Sequence, residues 1–397
     1  MTTEKIFTTL LELQGSEQFL TSARQHLHCN PELSRNEKQT AAWVADQLED
    51  WGFEVARGIG GHGVVGTLRQ GAGRSIALRA DTDALPIKEE TGKVYASRNA
   101  GVMHACGHDG HTVMLLGAAQ HLAKTRRFSG TVHCIFQPAE EVTQKSGAQL
   151  MIEDGLFERF PCDAIFGMHN HPGHREGTFM FGKGAFMSAS DRAYLRIIGK
   201  GGHAARPHHC VDPIVVASSI VMALQTIVSR NVDPTQTAVV TVGKFQAGDA
   251  PNVIPPYVDM ALSIRSFQDE VRELLQQRIT EVVQMQAASY GATAEIRYDR
   301  NQPVLVNTAA ETEIAVQVAT ELVGAQQVVF PFGPIVGSED FAFFLQHRPG
   351  CYFRIGNGLD SVKVHHPMYD FNDANLTVGA AFWTRLAERF LASPAPA

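Results

Sequence analysis

The sequence predicts an α/β protein, with a mainly parallel sheet flanked by helices and a ferredoxin-like α+β domain inserted into it. Three observations carry this prediction. Short apolar, β-rich runs alternate with helical periodicity between residues 53 and 168, the signature of strands joined by crossover helices. Polar clusters fall at or after the predicted strand ends, at Asp81/Asp83, Cys106/His108, Glu140/Glu141 and His169, where open α/β sheets hold their ligands. From residue 188 the pattern changes to β-α-β-β-α-β, the order of a ferredoxin-like two-layer sandwich. At 397 residues the chain exceeds one ordinary core. The expected domains are therefore 1–187 with 302–397, and 188–301 between them.

The elements follow in order. Residues 6–28 read as one amphipathic helix. Ser34 with Glu37 fits a capping box before a helix carrying Thr40, Ala41, Val44 and Leu48, and Gly52 suits its C-terminal end. Runs at 53–56, 64–68 and 75–79 read as strands, with Gly71-Ala72-Gly73 as a turn. Residues 103–111 form a loop leading into a helix over 112–124. A strand over 130–136 ends in Gln137-Pro138-Ala139-Glu140-Glu141, a helix covers 146–153, and a strand over 163–168 ends in His169-Asn170-His171-Pro172. In the insert, strands are expected at 192–198, 237–245, 257–267 and 292–298, with helices at 211–228 and 270–288. Beyond it come a helix over 312–323, a helix opened by Gly337-Ser338-Glu339-Asp340-Phe341, a strand over 351–355 and a closing helix over 380–391. The tail 393–397 reads as disordered.

Bulk composition narrows the function. A formal net charge of −7, from 34 basic and 41 acidic residues, offers no general basic surface for nucleic acid or anionic membrane. No apolar stretch is expected to approach the roughly 18 residues of a membrane span. The N-terminus lacks the basic start and apolar run of a signal peptide. Six cysteines without framework spacing point to a reducing cytoplasm, with thiols free or bound to metal. Seventeen histidines, several in tight clusters, suggest metal chemistry.

The densest cluster is Met103-His104-Ala105-Cys106-Gly107-His108-Asp109-Gly110-His111. In an extended loop, residues i and i+2 point the same way, so Cys106 and His108 can face one ion. The alternative is a buried free cysteine among satisfied histidines. Asp81 and Asp83 suit metal ligands, orienters of ligands, or a capped turn before Pro86. Of the adjacent Glu140 and Glu141, one can bind metal while the other faces a bound water; a solvated acidic turn is the alternative. His365/His366 arrives from the far end of the chain. A thiol, imidazoles and carboxylates suit zinc, manganese, cobalt or nickel better than magnesium or calcium. More than four candidate ligands suggest two metals sharing a bridging group. Their dispersal from Cys106 to His365 favours a catalytic over a structural site.

Taken together the motifs resemble peptidase family M20, and within it the branch of hippurate hydrolases and auxin-conjugate (N-acyl-amino-acid) amidohydrolases. The resemblance rests on Arg-Ala-Asp-Thr-Asp-Ala-Leu-Pro-Ile (79–87), the 103–111 loop, Gln-Pro-Ala-Glu-Glu (137–141) and Gly-Met-His-Asn-His-Pro (167–172). It continues through Gly-Gly-His-Ala-Ala (201–205), Asn-Val-Ile-Pro (252–255), Gly-Ser-Glu-Asp-Phe (337–341) and His-His-Pro-Met-Tyr-Asp-Phe-Asn-Asp (365–373). It implies the catalytic domain of a metal-dependent exopeptidase, with the insert as dimerisation and lid domain.

The resemblance further implies two divalent ions held by Cys106, His108, Glu141, His169 and His365, with Cys106 as the bridge. His365 is chosen over His366 by its distance from Pro367. Asp83, and Asp81 where other branches have a histidine, would orient ligands without touching metal. Glu140 is implied as general base, and His203 as an oxyanion-holding residue reaching a partner subunit's site, which requires a homodimer or homotetramer built through the insert. Asn252 and Arg265 would bind substrate; an arginine grips a carboxylate bidentately, although Arg265 also reads as an exposed strand residue. His104 and His171 are the remaining histidines best placed to support the site. The implied substrate is a small N-acyl amino acid. A dipeptidase or carboxypeptidase using the same residues is the alternative, and a metal-binding scaffold without catalysis is a third reading.

Overall fold

The computed structural model describes residues 3–142 and 144–392, so the 393–397 tail lies outside the described residues. Two helices open the chain instead of the single one expected over 6–28: α1 (Thr3–Gln14) and α2 (Glu17–Cys29). The break falls at Gly15-Ser16, where the Ser16 carbonyl accepts the Leu20 N–H and so begins the second helix. Helix α3 (Lys38–Asp50) starts without the expected capping box. The Glu32 carboxylate caps it instead, accepting from the N–H groups of Gln39 (3.1 Å) and Thr40 (2.8 Å). Ser34 and Glu37 are engaged elsewhere, as described below. Gly52 follows the helix with φ +82°, in the expected left-handed conformation.

Strands β1 (Glu54–Ile59), β2 (Gly63–Gln70) and β3 (Ser75–Asp81) follow, then α4 (His108–Thr125), β4 (Gly130–Gln137), α5 (Gly147–Glu153), α6 (Leu156–Arg159), β5 (Ala164–His171) and β6 (Phe179–Met180). The insert runs from β7 (Gly184–Met187) through β8 (Ala189–Ile198), β9 (Gly202–His203), α7 (Pro213–Arg230), β10 (Ala238–Gln246), β11 (Val253–Ile254), β12 (Tyr257–Ser266), α8 (Asp269–Ser289) and β13 (Thr293–Gln302). The chain then returns through β14 (Leu305–Asn307), α9 (Ala309–Val323), β15 (Val328–Val329), α10 (Phe341–Leu345), β16 (Gly350–Gly356) and α11 (Ala374–Ala392).

The chain divides into two compact units, residues 1–184 with 306–333 and 340–397, and residues 185–305 with 334–339. The short stretch 334–339 joins the insert through backbone pairing, which a reading of linear sequence does not reveal. The Ser188 N–H donates to the Gly337 carbonyl (3.0 Å), and the Ile335 N–H donates to the Phe186 carbonyl (2.9 Å).

The first unit is built on an eight-stranded sheet in the order β1-β2-β4-β3-β5-β16-β6-β15. Its central strands β4, β3, β5 and β16 are parallel, and β1, β2 and the β16–β6 pair add antiparallel edges. The pleat sorts residues by parity. Ile76, Leu78, Ala80, Val132, Phe136, Phe166, Met168, Phe353 and Ile355 enter one core with α4 and α11. Residues of the other parity carry the chemistry. Ala77 and Arg79 register with Ile165 and Gly167, so Asp81 and His169 continue that row at the strands' C-terminal ends.

The second unit has a four-stranded antiparallel sheet, β10-β12-β8-β13, with α7 and α8 packed on it. This is the ferredoxin-like order. One expectation fails here. Helix α7 has 18 residues and a mean hydropathy of 1.5, long and apolar enough by length and composition to cross a membrane. Ser218, Ser219, Gln225 and Thr226 interrupt the apolar run in the sequence without lowering its mean below that level. Val216, Ala217, Ile220, Leu224 and Ile227 nonetheless recur at helical spacing and are buried in the insert's own core.

Candidate metal centre and active site

The candidate donors come from strand and helix ends and from the loops that join them. Cys106 lies in the loop before α4, and His108 is the first residue of α4 rather than part of an extended loop. The link between them is Gly107, with φ +90°, where a Cβ would come within 2.5 Å of both Asn170 Nδ2 and Tyr369 Oη. Only glycine fits that turn. Glu140 and Glu141 follow β4, His169 lies two residues before the end of β5, and His365 sits in the loop before α11. His365 is itself left-handed, at φ +64°, a conformation that costs a non-glycine residue about 1 kcal/mol.

These side chains converge into two donor groups that share one thiol, Cys106/His108/His169 and Cys106/Glu141/His365, with the donor atoms of each group within 4.8 Å of one another. Cys106 Sγ lies 3.2 Å from His169 Nε2, and His365 Nε2 lies 3.1 Å from Glu141 Oε1. His366 turns away, its Nδ1 accepting the Met368 N–H at 3.1 Å.

The surroundings suit cations. His108 Nδ1 faces the Asp83 carbonyl (2.9 Å) and carboxylate (3.2 Å), both acceptors, so Nδ1 carries a proton and Nε2 is the atom turned to the site. Burial would lower the ring's pKa, but the Asp81 and Cys106 charges and the Asp83 hydrogen bond hold it well above its ordinary value, so this position too favours positive charge. That Nε2 is buried and makes no hydrogen bond among the described residues. His169 repeats the arrangement, with Nδ1 2.7 Å from the Asn170 carbonyl. Burial, reinforced by the Arg354 charge, holds the His169 imidazole well below its ordinary pKa, in the neutral form that binds metal. Hydrogen bonds with Cys106 and Glu141 lift His365 to about 10, so this pocket favours positive charge. A soft thiol, imidazoles and one carboxylate fit borderline divalent metals.

The aspartates sit behind the donors. Asp83 binds His108 through one oxygen and through the other accepts from Ser34 Oγ (2.6 Å) and the Glu141 N–H (3.0 Å). This is where the expected capping serine is used. The expected capping Glu37 is buried, accepts the Ala139 N–H at 2.7 Å, and is lifted to about 7 by burial and then by the Asp83 charge. Asp81 is fully buried between Arg79 Nη1 (2.7 Å) and His111 Nδ1 (2.6 Å). Burial alone would raise its pKa, but the charges of His108 and Arg79, with the hydrogen bond from His111, hold it well below the usual carboxylate range.

Several members of this network escape a reading of the sequence. His111 Nε2 accepts the Asn170 N–H (3.0 Å), and Asn170 Nδ2 donates to the Cys106 carbonyl (2.6 Å). Arg79 ties Asp81 to Asp340 (3.0 Å) and to Gln137 (2.8 Å). Of the two histidines singled out as support, His104 is buried, and burial lowers it to about 4. His171 packs with His174 and Phe332. A helix that begins at His108 places His111 one turn on, on the same face, which is the signal that a helix expected only from residue 112 conceals.

His28 lies just behind this layer, its Nδ1 2.7 Å from Asp109 and its Nε2 3.3 Å from Glu89. Burial would lower its pKa, but the two carboxylates outweigh burial and lift it to about 9. The native state therefore keeps a proton that the unfolded chain releases near its ordinary value of about 6.5. The resulting stabilisation, of order 3 kcal/mol, is complete below about pH 6.5 and lost as pH rises to about 9. Melting temperature should fall across that window in the unmodified protein, and His28→Gln should flatten the fall.

The donors all belong to the first unit. His203, Asn252 and Arg265 belong to the second. Within it His203 and Asn252 are neighbours, since His203 pairs with Val253 and the Ala204 N–H donates to the Asn252 carbonyl (3.1 Å). His203 is exposed, and its Nδ1 accepts the nearby Ala205 N–H at 3.1 Å. Arg265, on β12, is half-buried, and its Nη1 makes no hydrogen bond among the described residues. Burial and the neighbouring Arg192 charge lower its pKa.

Comparison with known proteins places this arrangement. The model of peptidase family M20/M25/M40 matches residues 77–389. Hippurate hydrolase of Campylobacter jejuni is 42% identical over 383 residues, covering 96% of this chain and 98% of that one. Thermostable carboxypeptidase 2 of Saccharolobus solfataricus is 37% identical, covering 96% and 97%. Among solved structures, a Bacillus subtilis protein described as a dinuclear metal-binding peptidase of the M20 family superposes with a TM-score of 0.83 at 34% identity, covering 95% of this chain and 99% of that one. A match of that breadth, on a fold held in common from end to end, makes the chain a member of peptidase family M20/M25/M40 and a metal-dependent amidohydrolase.

Proposed function

We propose that the protein hydrolyses N-acyl amino acids of the hippurate type, releasing a carboxylic acid and a free amino acid. The observation that carries this reading is the pair of donor groups sharing Cys106, with Glu140 beside the donor Glu141. Two divalent ions held by Cys106, His108, Glu141, His169 and His365 would supply an acidified water and polarisation of the scissile carbonyl. Glu140 then takes the proton of the attacking water and passes it to the leaving amide nitrogen as the C–N bond breaks. Arg265 supports selection for a free carboxylate, because its Nη1 is left without an internal acceptor. The six cysteines are free thiols, which suits a reducing cytoplasm.

The direct test is hydrolysis of N-benzoylglycine and a panel of N-acyl amino acids by protein stripped with chelator and reloaded separately with zinc, manganese, cobalt and nickel. Metal-restored release of amino acid is expected. Arg265→Ala should raise KM about tenfold or more for these acids while leaving KM for the corresponding carboxamides unchanged, as expected when one charge-assisted bond is lost. Cleavage of dipeptides alone would instead favour the peptidase reading, which the carboxypeptidase relative supports.

Assembly is part of the same proposal. On α7, Val215 and Met222 are 53% and 71% exposed, an apolar face suited to a second copy. His203 would then serve the partner's site. Mixing Glu140→Gln chains with His203→Ala chains should restore about a quarter of normal activity, from random dimers with one complete site in half of them. No recovery on mixing would remove His203 from a role across subunits.

A further inference from the structure

One buried cluster lies behind the donors and takes no part in the chemistry above. Its centre is Arg24 on α2, fully buried. The guanidinium donates from Nε and Nη2 to the two oxygens of Asp373 (2.7 and 3.0 Å) and from Nη1 to Asp370 (3.0 Å). Nη1 also lies 3.7 Å from Asp109, next in sequence to His108. Tyr95 stacks beneath it, 4.5 Å from ring centre to guanidinium carbon, and its hydroxyl donates to the second oxygen of Asp370 (2.6 Å).

We propose that Arg24 is a positioning residue, clamping the 365–373 loop that carries His365 to the first turn of α4 that carries His108. It thereby sets the spacing of the two metal-donor groups. The inference rests on the metal-site reading above. Three features support it beyond a general role in packing. The carboxylates that Arg24 gathers come from the two segments that deliver His108 and His365, some 260 residues apart in sequence. The 365–373 loop holds His365 in a left-handed conformation, so something must fix it. The loop's other anchors also lead to donors. The His365 N–H donates to the Ala105 carbonyl (2.7 Å), and Tyr369 Oη donates to Asn170 Oδ1 (2.9 Å), beside Cys106 and His169 respectively. A buried arginine among carboxylates is a poor way to gain stability alone, since apolar packing serves as well. Its bidentate fork fixes orientation, which a lysine cannot reproduce.

The test is titration of metal-stripped protein with cobalt(II), alongside kinetics. The variants are Arg24→Lys, which keeps the charge but loses the fork, and Asp373→Asn, which weakens one arm at a partly exposed position. His365→Ala and His169→Ala serve as references. The unmodified protein should bind two equivalents; failure to do so would sink the metal-site reading itself, not merely this inference. Arg24→Lys should weaken one equivalent at least tenfold, the same one lost in His365→Ala, leave the other within twofold, and lower kcat more than it raises KM. Asp373→Asn should do the same to a smaller degree, and decides the matter if the lysine variant does not fold. Two unchanged equivalents with only a lower melting temperature, or equal weakening of both, would overturn the proposal.

Discussion

Replacing Glu140 with glutamine is expected to leave metal stoichiometry at the unmodified level while lowering kcat by about 10²–10⁴, the usual contribution of a positioned general base. The two effects separate because the donors are distributed over other residues. Cys106, His108, Glu141, His169 and His365 form both donor groups without Glu140. Glutamine keeps the shape of the side chain but cannot accept the water's proton or return it to the amine. Metal content by mass spectrometry and single-turnover kinetics on N-benzoylglycine check this together. A variant that lost its metal along with its activity would make Glu140 a ligand, and one that kept turnover would move the base elsewhere.

The second large effect concerns the shared thiol. Cys106→Ser should disturb both metal equivalents at once, because Sγ belongs to both donor groups. A serine hydroxyl is a weaker donor and does not ionise as a coordinating thiol does. Loss of even a residue that merely orients a ligand costs roughly 10–100-fold in metal affinity. A shared donor should therefore cost at least about a hundredfold at each position, with activity falling in parallel. One equivalent bound at unchanged affinity would show that the thiol serves a single ion. Burial, and then the Glu141 charge, raise the Cys106 pKa, so the thiol alone is a poor nucleophile. Oxidation should accordingly be slow while the site is filled and faster after chelation, which thiol labelling followed by mass spectrometry would detect.

The sequence made the fold class legible because its strands and helices carry clean periods. The crossovers of the first unit and the β-α-β-β-α-β order of the insert both survive in the structure. The candidate donors that the fold brings together stand out in the sequence for a different reason: reactive residue types cluster at strand ends, and their motifs are dense. What stayed hidden depends on long-range pairing. Ser34 and Glu37 have the spacing of a helix cap, yet both turn to groups around the site because those groups lie within reach only in the fold. Arg24 has no local signature, and the motifs that contain Arg79 and Asp340 do not show that the two pair; these partners lie up to 349 residues apart. The first turn of α4 was misplaced because Cys106-Gly107-His108 reads as loop by composition, while the left-handed glycine starts the helix one residue later. The apolar content of α7 is masked in the sequence because Ser218, Ser219, Gln225 and Thr226 break up the run without bringing down its average.

The position of β16 has a consequence for biosynthesis. This strand is inserted between β5 and β6, which are complete by residue 180, yet it begins only at residue 350. At ordinary synthesis rates of about 5–20 residues per second, the growing chain carries β5 with an unpaired inner edge for roughly ten to thirty seconds. During that interval the insert's four-stranded sheet, β10-β12-β8-β13, whose strands neighbour only one another, is made in full. Cys106, His108, Glu141 and His169 have by then emerged, while His365 has not. The donor set closes only when β16 enters the sheet and the loop behind it arrives. A chain released early would hold an incomplete set of donors beside an exposed strand edge, a form suited to aggregation and to capture by chaperones.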